Sequence, residues 1–231
     1  MNIIVNGGTR GIGKEVVLIL AKETGNNILV TGRNEDALKE LYENSEYKNI
    51  RTLKIDLASF KDQEEYFREN VFSHFNSIDI LLNIAGFLIV KDFMDLPGAE
   101  ARKMMETNFF GPASVIRLVK PLMREGAHIV NISSMGGFQG SSKYRGMSYY
   151  SASKAALSCL SECLAVEFKD SGIRVNCLAL GSAQTEMFGK AFPGFKASVS
   201  AQEMAGFIVN FALNGSRFFN GKVIPVALND P

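Results

Sequence analysis

Asn2-Ile3-Ile4-Val5-Asn6-Gly7-Gly8-Thr9-Arg10-Gly11-Ile12-Gly13, followed by Lys14 to Ala21, decides the fold. Asn2 to Asn6, with its apolar run Ile3-Ile4-Val5, is too brief for a helix and is stopped at once by glycine, so it reads as a buried strand. Lys14 to Ala21 carries apolar residues all round at helical length. Strand, glycine turn and helix in this order suit a dinucleotide. The glycines allow a tight turn and let backbone N–H groups approach a pyrophosphate, and the helix N-terminus supplies partial positive charge. The spacing, Gly7, Gly11, Gly13, differs from the commoner G-x-G-x-x-G, so the flanking strand and helix carry the reading with it.

Outward from this unit the alternation continues. Asn27 to Thr31, Ile50 to Ile55, Ile78 to Asn83, Ala127 to Ser133, Ile173 to Ala179 and Val223 to Val226 read as further strands. A helix capped by Asn34 is predicted to run to about Asn44, with Glu35 and Asp36 in its first turn. Ser59 and Asp62 resemble a capping box that opens a helix with Phe60, Phe67, Val71 and Phe75 toward the core. Longer helices are predicted over Ala99 to Met123, with Asn108 in its middle, and over Tyr149 to Lys169; another covers Ala201 to Leu213. Met135 to Ser148 is a polar, glycine-rich loop. Strands that are apolar throughout imply a parallel sheet covered on both faces, hence an α/β fold. With no repeat, low-complexity tract or linker, residues 1–231 are expected to form one domain.

Composition narrows the partners. With 25 basic and 24 acidic side chains the net charge is +1, which gives no electrostatic footprint for nucleic acid or a membrane surface. Small ligands are expected instead. Cys159, Cys163 and Cys177 show no paired framework, and no targeting segment precedes the first strand, which points to a cytoplasmic location. The thiols read as small apolar packing residues, and no metal site is expected.

In doubly wound sheets ligands bind beyond the carboxyl ends of the strands. The informative polar residues fall there: Gly7 to Gly13, Arg33, Asp56, Asn83 and Ser134 each follow a predicted strand. A site for NAD usually carries an acid at the end of the second strand; this chain has Gly32-Arg33. Arg33, with Arg10 in the glycine turn, is placed to hold a 2′-phosphate, so NADP(H) is preferred, with NAD(H) as the weaker alternative. Asp56 can accept from an adenine amino group, and Asn83-Ile84-Ala85-Gly86 keeps a strand end small where a cofactor ring approaches. Tyr150 and Lys154 are four apart on a helix and share a face, so a lysine cation can lower the pKa of the phenol from its usual value of about 10 and make it a usable acid or base.

These motifs, Gly7-x-x-x-Gly11-Ile12-Gly13, Asp56-Leu57, Asn83-Ile84-Ala85-Gly86, Asn108, Ile132-Ser133-Ser134, Tyr150-x-x-x-Lys154, and Gly181 with Thr185, resemble in order those of the short-chain dehydrogenase/reductase family over essentially the whole chain. The resemblance implies a Rossmann-type doubly wound parallel sheet of about seven strands. It implies an NADP(H)-dependent oxidoreductase acting on a small carbonyl or alcohol, working as a homodimer or homotetramer. Tyr150 would be the general acid/base, Lys154 would lower its pKa and bind ribose hydroxyls, Ser134 would orient the substrate oxygen, and Asn108 would hold a water in a relay to Lys154. Gly7, Thr9, Arg10, Gly11, Ile12, Gly13, Arg33, Asp56, Leu57, Asn83, Ala85, Gly86, Gly181 and Thr185 would bind the cofactor. Asn6, Ile84 and Leu180 depart from the family pattern, and Ser134 and Tyr150 are a few residues further apart than usual, which makes Ser133, Tyr144 and Tyr149 rival candidates. A 3-oxoacyl thioester reductase, a sugar-type reductase and a non-catalytic cofactor-binding regulator share the motifs. Phe188, Phe192 and Phe195 either wall an apolar pocket or pack a lid; Lys143 and Arg145 either bind an anionic tail or are solvated loop charges.

Overall fold

The computed structural model describes residues 1–43 and 45–228. In chain order its strands are β1 (Asn2–Asn6), β2 (Asn27–Gly32), β3 (Ile50–Lys54), β4 (Ile78–Asn83), β5 (Met123–Ser134), β6 (Arg174–Leu180), β7 (Ala183–Gln184), β8 (Val199–Ser200) and β9 (Val223–Val226). The helices are α1 (Gly11–Ala21), α2 (Glu35–Glu43), α3 (Glu64–His74), α4 (Gly98–Met105), α5 (Gly111–Val119), α6 (Ser148–Glu167), α7 (Glu186–Ala191) and α8 (Ala201–Asn214). Seven strands form one sheet in the order β3-β2-β1-β4-β5-β6-β9, every pair parallel. This is the doubly wound sheet expected. Its order reverses between β1 and β4, and the crevice for a ligand opens where the loops after these two strands diverge.

Buried residues alternate along the strands and build two cores. Ile3 and Val5 face Val16, Val17, Leu20, Leu38, Met204 and Ile208, which come from α1, α2 and α8. Ile4 faces the other way, onto the core of Phe67, Val71, Val115, Val119 and Ala165 from α3, α5 and α6. Burial on both faces explains why the strands read as continuous apolar runs.

Several boundaries differ from expectation for identifiable reasons. The helix predicted over Ala99 to Met123 is α4 and α5 joined by a π-helical turn, Glu106–Phe110, that contains Asn108. It ends in a 3-10 turn at Lys120–Leu122, and β5 already begins at Met123. The capping box at Ser59 and Asp62 does not form. Asp56 caps instead, its side chain accepting from Ala58 N–H at 3.0 Å, while the Gln63 amide reaches back to Asp56 and Ser59, so α3 starts only at Glu64. The predicted end of α2 at Asn44 lies outside the described residues. Cys177 is buried as a packing residue, but Cys159 and Cys163 are exposed on α6, which corrects the reading of all three as core.

Candidate active site

A cavity of about 660 Å³ lies along the carboxyl edge of the sheet and spans the switch point. One end is the glycine turn. Gly7 has φ +89°, and a Cβ there would sit 2.5 Å from the Ala85 Cα; a Cβ on Gly13 would sit 2.0 Å from the Gly7 carbonyl oxygen. Only glycine lets the turn, the β4 loop and α1 approach this closely. The start of α1 has no side-chain cap and no acid in its first turn, so its first N–H groups remain for an anion. Thr9, Arg10, Gly11, Ile12, Arg33, Asp56, Leu57, Ala85 and Gly86 line the same end. Among the described residues no carboxylate lies within 4.0 Å of Arg10 or Arg33. Cradle, uncapped helix and unpaired guanidinium groups together fit the diphosphate and a further phosphate of a dinucleotide.

The other end gathers Ser134, Tyr150 and Lys154. Ser134 closes β5, and its Oγ accepts from Gly136 N–H at 3.2 Å. Tyr150 and Lys154 sit one turn apart near the start of α6. Lys154 is 2% exposed, donates to the Ile132 carbonyl at 2.8 Å, and lies 6.0 Å from the centre of the Tyr150 ring. Burial lowers its pKa to about 8. Burial also raises the Tyr150 phenol above its ordinary value, an effect offset in part by the neighbouring Ser134 hydroxyl. This reverses the expected direction for Tyr150: desolvation sets the shift, and the Lys154 ammonium is hydrogen-bonded to the Ile132 carbonyl rather than to the phenol.

Asn83 and Asn108 stand behind the cavity wall rather than on it. Asn108 Oδ1 accepts from Phe87 N–H at 2.7 Å, and its Nδ2 donates to the Phe87 carbonyl and to Ser153 Oγ, both at 2.9 Å. Its amide therefore pins the β4 loop to α6. Asn83 belongs to a buried ladder that crosses the sheet. Thr31 Oγ1 donates to Asn6 Oδ1 at 2.8 Å, Asn6 Nδ2 to Asn83 Oδ1 at 2.7 Å, Asn83 Nδ2 to Asn131 Oδ1 at 2.7 Å, and Asn131 Nδ2 to Ser161 Oγ at 2.8 Å. The ladder gives Asn6 a physical reason. Asn131 was missed by sequence reading, although an asparagine inside Ile129-Val130-Asn131-Ile132 is a buried polar group that must find partners. Thr107, also missed, lines the cavity, and its buried hydroxyl has no partner among the described residues.

The rivals separate by position. Ser133 Oγ donates to the Lys154 carbonyl and accepts from Ser158. Tyr149 stacks on Phe93 at 5.8 Å and does not line the cavity, and Tyr144 lines the cavity without a lysine one turn on. Ile84 and Leu180 line the cavity with Gly181 and Thr185. Thr185 caps α7, accepting from Phe188 N–H at 3.1 Å. Phe188, Phe192 and Phe195 face the cavity. Lys143 folds back onto the Phe138 carbonyl and Arg145 pairs with Asp92, so both are charges of the loop surface.

A family model described as short chain dehydrogenase matches residues 1–194. The chain is 33% identical over 188 residues to dehydrogenase/reductase SDR family member 6 of Aquarana catesbeiana, a match that covers 79% of this chain and 71% of that protein. It is 28% identical over 206 residues to an uncharacterized oxidoreductase of Staphylococcus saprophyticus, covering 87% and 86%. A solved dehydrogenase/reductase from Sinorhizobium meliloti superposes with a TM-score of 0.82 at 26% identity, covering 97% of this chain and 92% of that one.

Proposed function

The chain belongs to the short-chain dehydrogenase family of NAD(P)-dependent oxidoreductases, and from that premise we propose that it is an NADP(H)-dependent reductase of a small carbonyl compound, or the dehydrogenase of the reverse reaction. The observation that carries the reading is that one cavity joins the glycine cradle to Ser134, Tyr150 and Lys154. The nicotinamide group, when bound, supplies or accepts the hydride. As negative charge grows on the carbonyl oxygen, hydrogen bonds from Tyr150 and Ser134 stabilise it and Tyr150 gives up its proton. A phenol raised by burial is fully protonated at neutral pH and suits an acid in the reducing direction. Lys154 carries its charge below about pH 8, beside the position left open by Gly86, where it can hold ribose hydroxyls. Asn108 acts through Phe87 and Ser153, fixing the wall and the helix that present these groups.

Arg10 and Arg33, with no acid at the end of β2, support the preference for NADP(H) over NAD(H). The aromatic wall of Phe188, Phe192 and Phe195 supports a substrate with an apolar portion, in preference to a sugar. One catalytic domain, a homodimer or homotetramer, and a cytoplasmic location belong to the same reading. No helix among the described residues is long and apolar enough to cross a membrane.

Titration of NADPH and NADH fluorescence with the protein, followed by oxidation assays over ketones, quinones and 3-oxoacyl thioesters, tests the proposal. NADPH is expected to bind more tightly and to be oxidised with at least one substrate. Tyr150→Phe is expected to keep NADPH binding and lower kcat by about 10²–10⁴-fold. Undiminished turnover in that variant would remove Tyr150 from its role, and tight binding without turnover on any substrate would favour a cofactor-binding regulator.

A further inference from the structure

Phe87 follows Ala85 and Gly86, which line the cavity, and two cations rest on its ring. The Arg33 guanidinium carbon lies 5.8 Å from the ring centre and the Lys103 ammonium 5.4 Å from the same point. Each contact holds a long, flexible side chain in place at a small gain. Both side chains are exposed, and among the described residues neither has a carboxylate within 4.0 Å. Glu35, two residues past Arg33, pairs with Lys54 at 2.7 Å instead. Like charges drawn to one ring repel unless an anion lies between them. Lys103, near the end of α4, stands four residues ahead of Thr107, which lines the cavity from the π-helical turn.

From this juxtaposition we propose that Lys103 is a further specificity-determining residue of the cofactor site, joining Arg33 around the 2′-phosphate of a phosphorylated dinucleotide. The inference rests on the NADP(H) reading above. Phe87 acts as a shared post for both cations, of which Arg33 offers a planar donor fork and Lys103 a point charge. Bare ribose hydroxyls gain nothing from a second cation, so the effect of Lys103 falls on NADPH alone.

The experiment measures Kd for NADPH and NADH by fluorescence titration in the wild type, Lys103→Met, Lys103→Arg and Arg33→Ala at low and high salt. Lys103→Met keeps the aliphatic stem and is expected to weaken NADPH about 5-fold at low salt while NADH stays within about 2-fold, the loss shrinking at high salt as screening grows. Lys103→Arg is expected to retain most of the NADPH affinity. If Arg33→Ala lowers the NADPH preference and Lys103→Met does not, the Lys103 inference is overturned and the NADP(H) reading stands. If neither variant changes the ratio of the two affinities, both fall. Equal losses for NADPH and NADH in Lys103→Met would make Lys103 a structural residue and would also overturn the inference.

Discussion

At the scale of single residues, Lys154 shows a site that opposes stability. Its folded pKa of about 8 lies below the unfolded value of 10.5, so between these values the unfolded chain binds more protons and stability rises with pH. Below about pH 8 the full cost of burying the ammonium is present, about 3 kcal/mol. Lys154→Met removes that cost and loses one hydrogen bond to the Ile132 carbonyl, which offsets about 1 kcal/mol. The variant is expected to be inactive yet more stable than the wild type by roughly 1–2 kcal/mol at pH 7, with the gain shrinking toward pH 10. Urea unfolding at the two pH values checks this; a variant less stable at pH 7 contradicts it. The pairing of Tyr150 with Lys154 was legible because helical spacing alone puts them on one face. The direction of the Tyr150 shift was not, since it depends on how deeply α6 and β5 bury the phenol, and burial is a property of packing.

Secondary-structure elements were legible wherever one chemical pattern ran unopposed, as in β1, β4 and β9, whose predicted ends are the observed ones. They were misread where local groups compete. Asp56 and Gln63 displaced the capping box at Ser59, and the π-helical turn at Asn108 arises from a loop twenty-one residues upstream, which a helical pattern does not encode. The amide ladder lies beyond sequence reading for a related reason: Thr31, Asn6, Asn83 and Asn131 become neighbours only through the register of four strands. Once paired, each rung leaves the next dependent on it. Asn6→Leu is close to isosteric but strands the Thr31 hydroxyl and the Asn83 carbonyl, so it is expected to cost about 2–4 kcal/mol. Chemical denaturation measures the loss, and a change below about 0.5 kcal/mol would show that these groups find other partners.

For the whole molecule, the sheet order makes one continuous cavity from segments that are far apart in sequence, and the segment after β6 closes over it. Thr185 to Ser198 is held at its base by the short pair β7 and β8, with Ala197 N–H donating to Gln184 at 2.9 Å. Between them α7 leans Phe188 on Phe192 at 5.3 Å over the cavity, and Phe195 is 72% exposed. Few buried apolar contacts hold such a segment, so its order should depend on what lies beneath it. The glycine cradle is linked to it directly, since a Cβ on Gly11 would lie 3.3 Å from the Thr185 methyl. NADPH at about 100 times its Kd is expected to add about 2.7 kcal/mol to stability, a rise of about 5–10 °C in Tm, and to protect the segment from protease. Gly13→Ala drives a methyl group into the Gly7 carbonyl, which must shift the turn, and is expected to abolish both effects. A variant that keeps the full NADPH-induced Tm rise would show that the dinucleotide does not rest on this turn. Loss of the Tm rise with protection retained would show that the segment closes without it, and would separate the cradle from the lid.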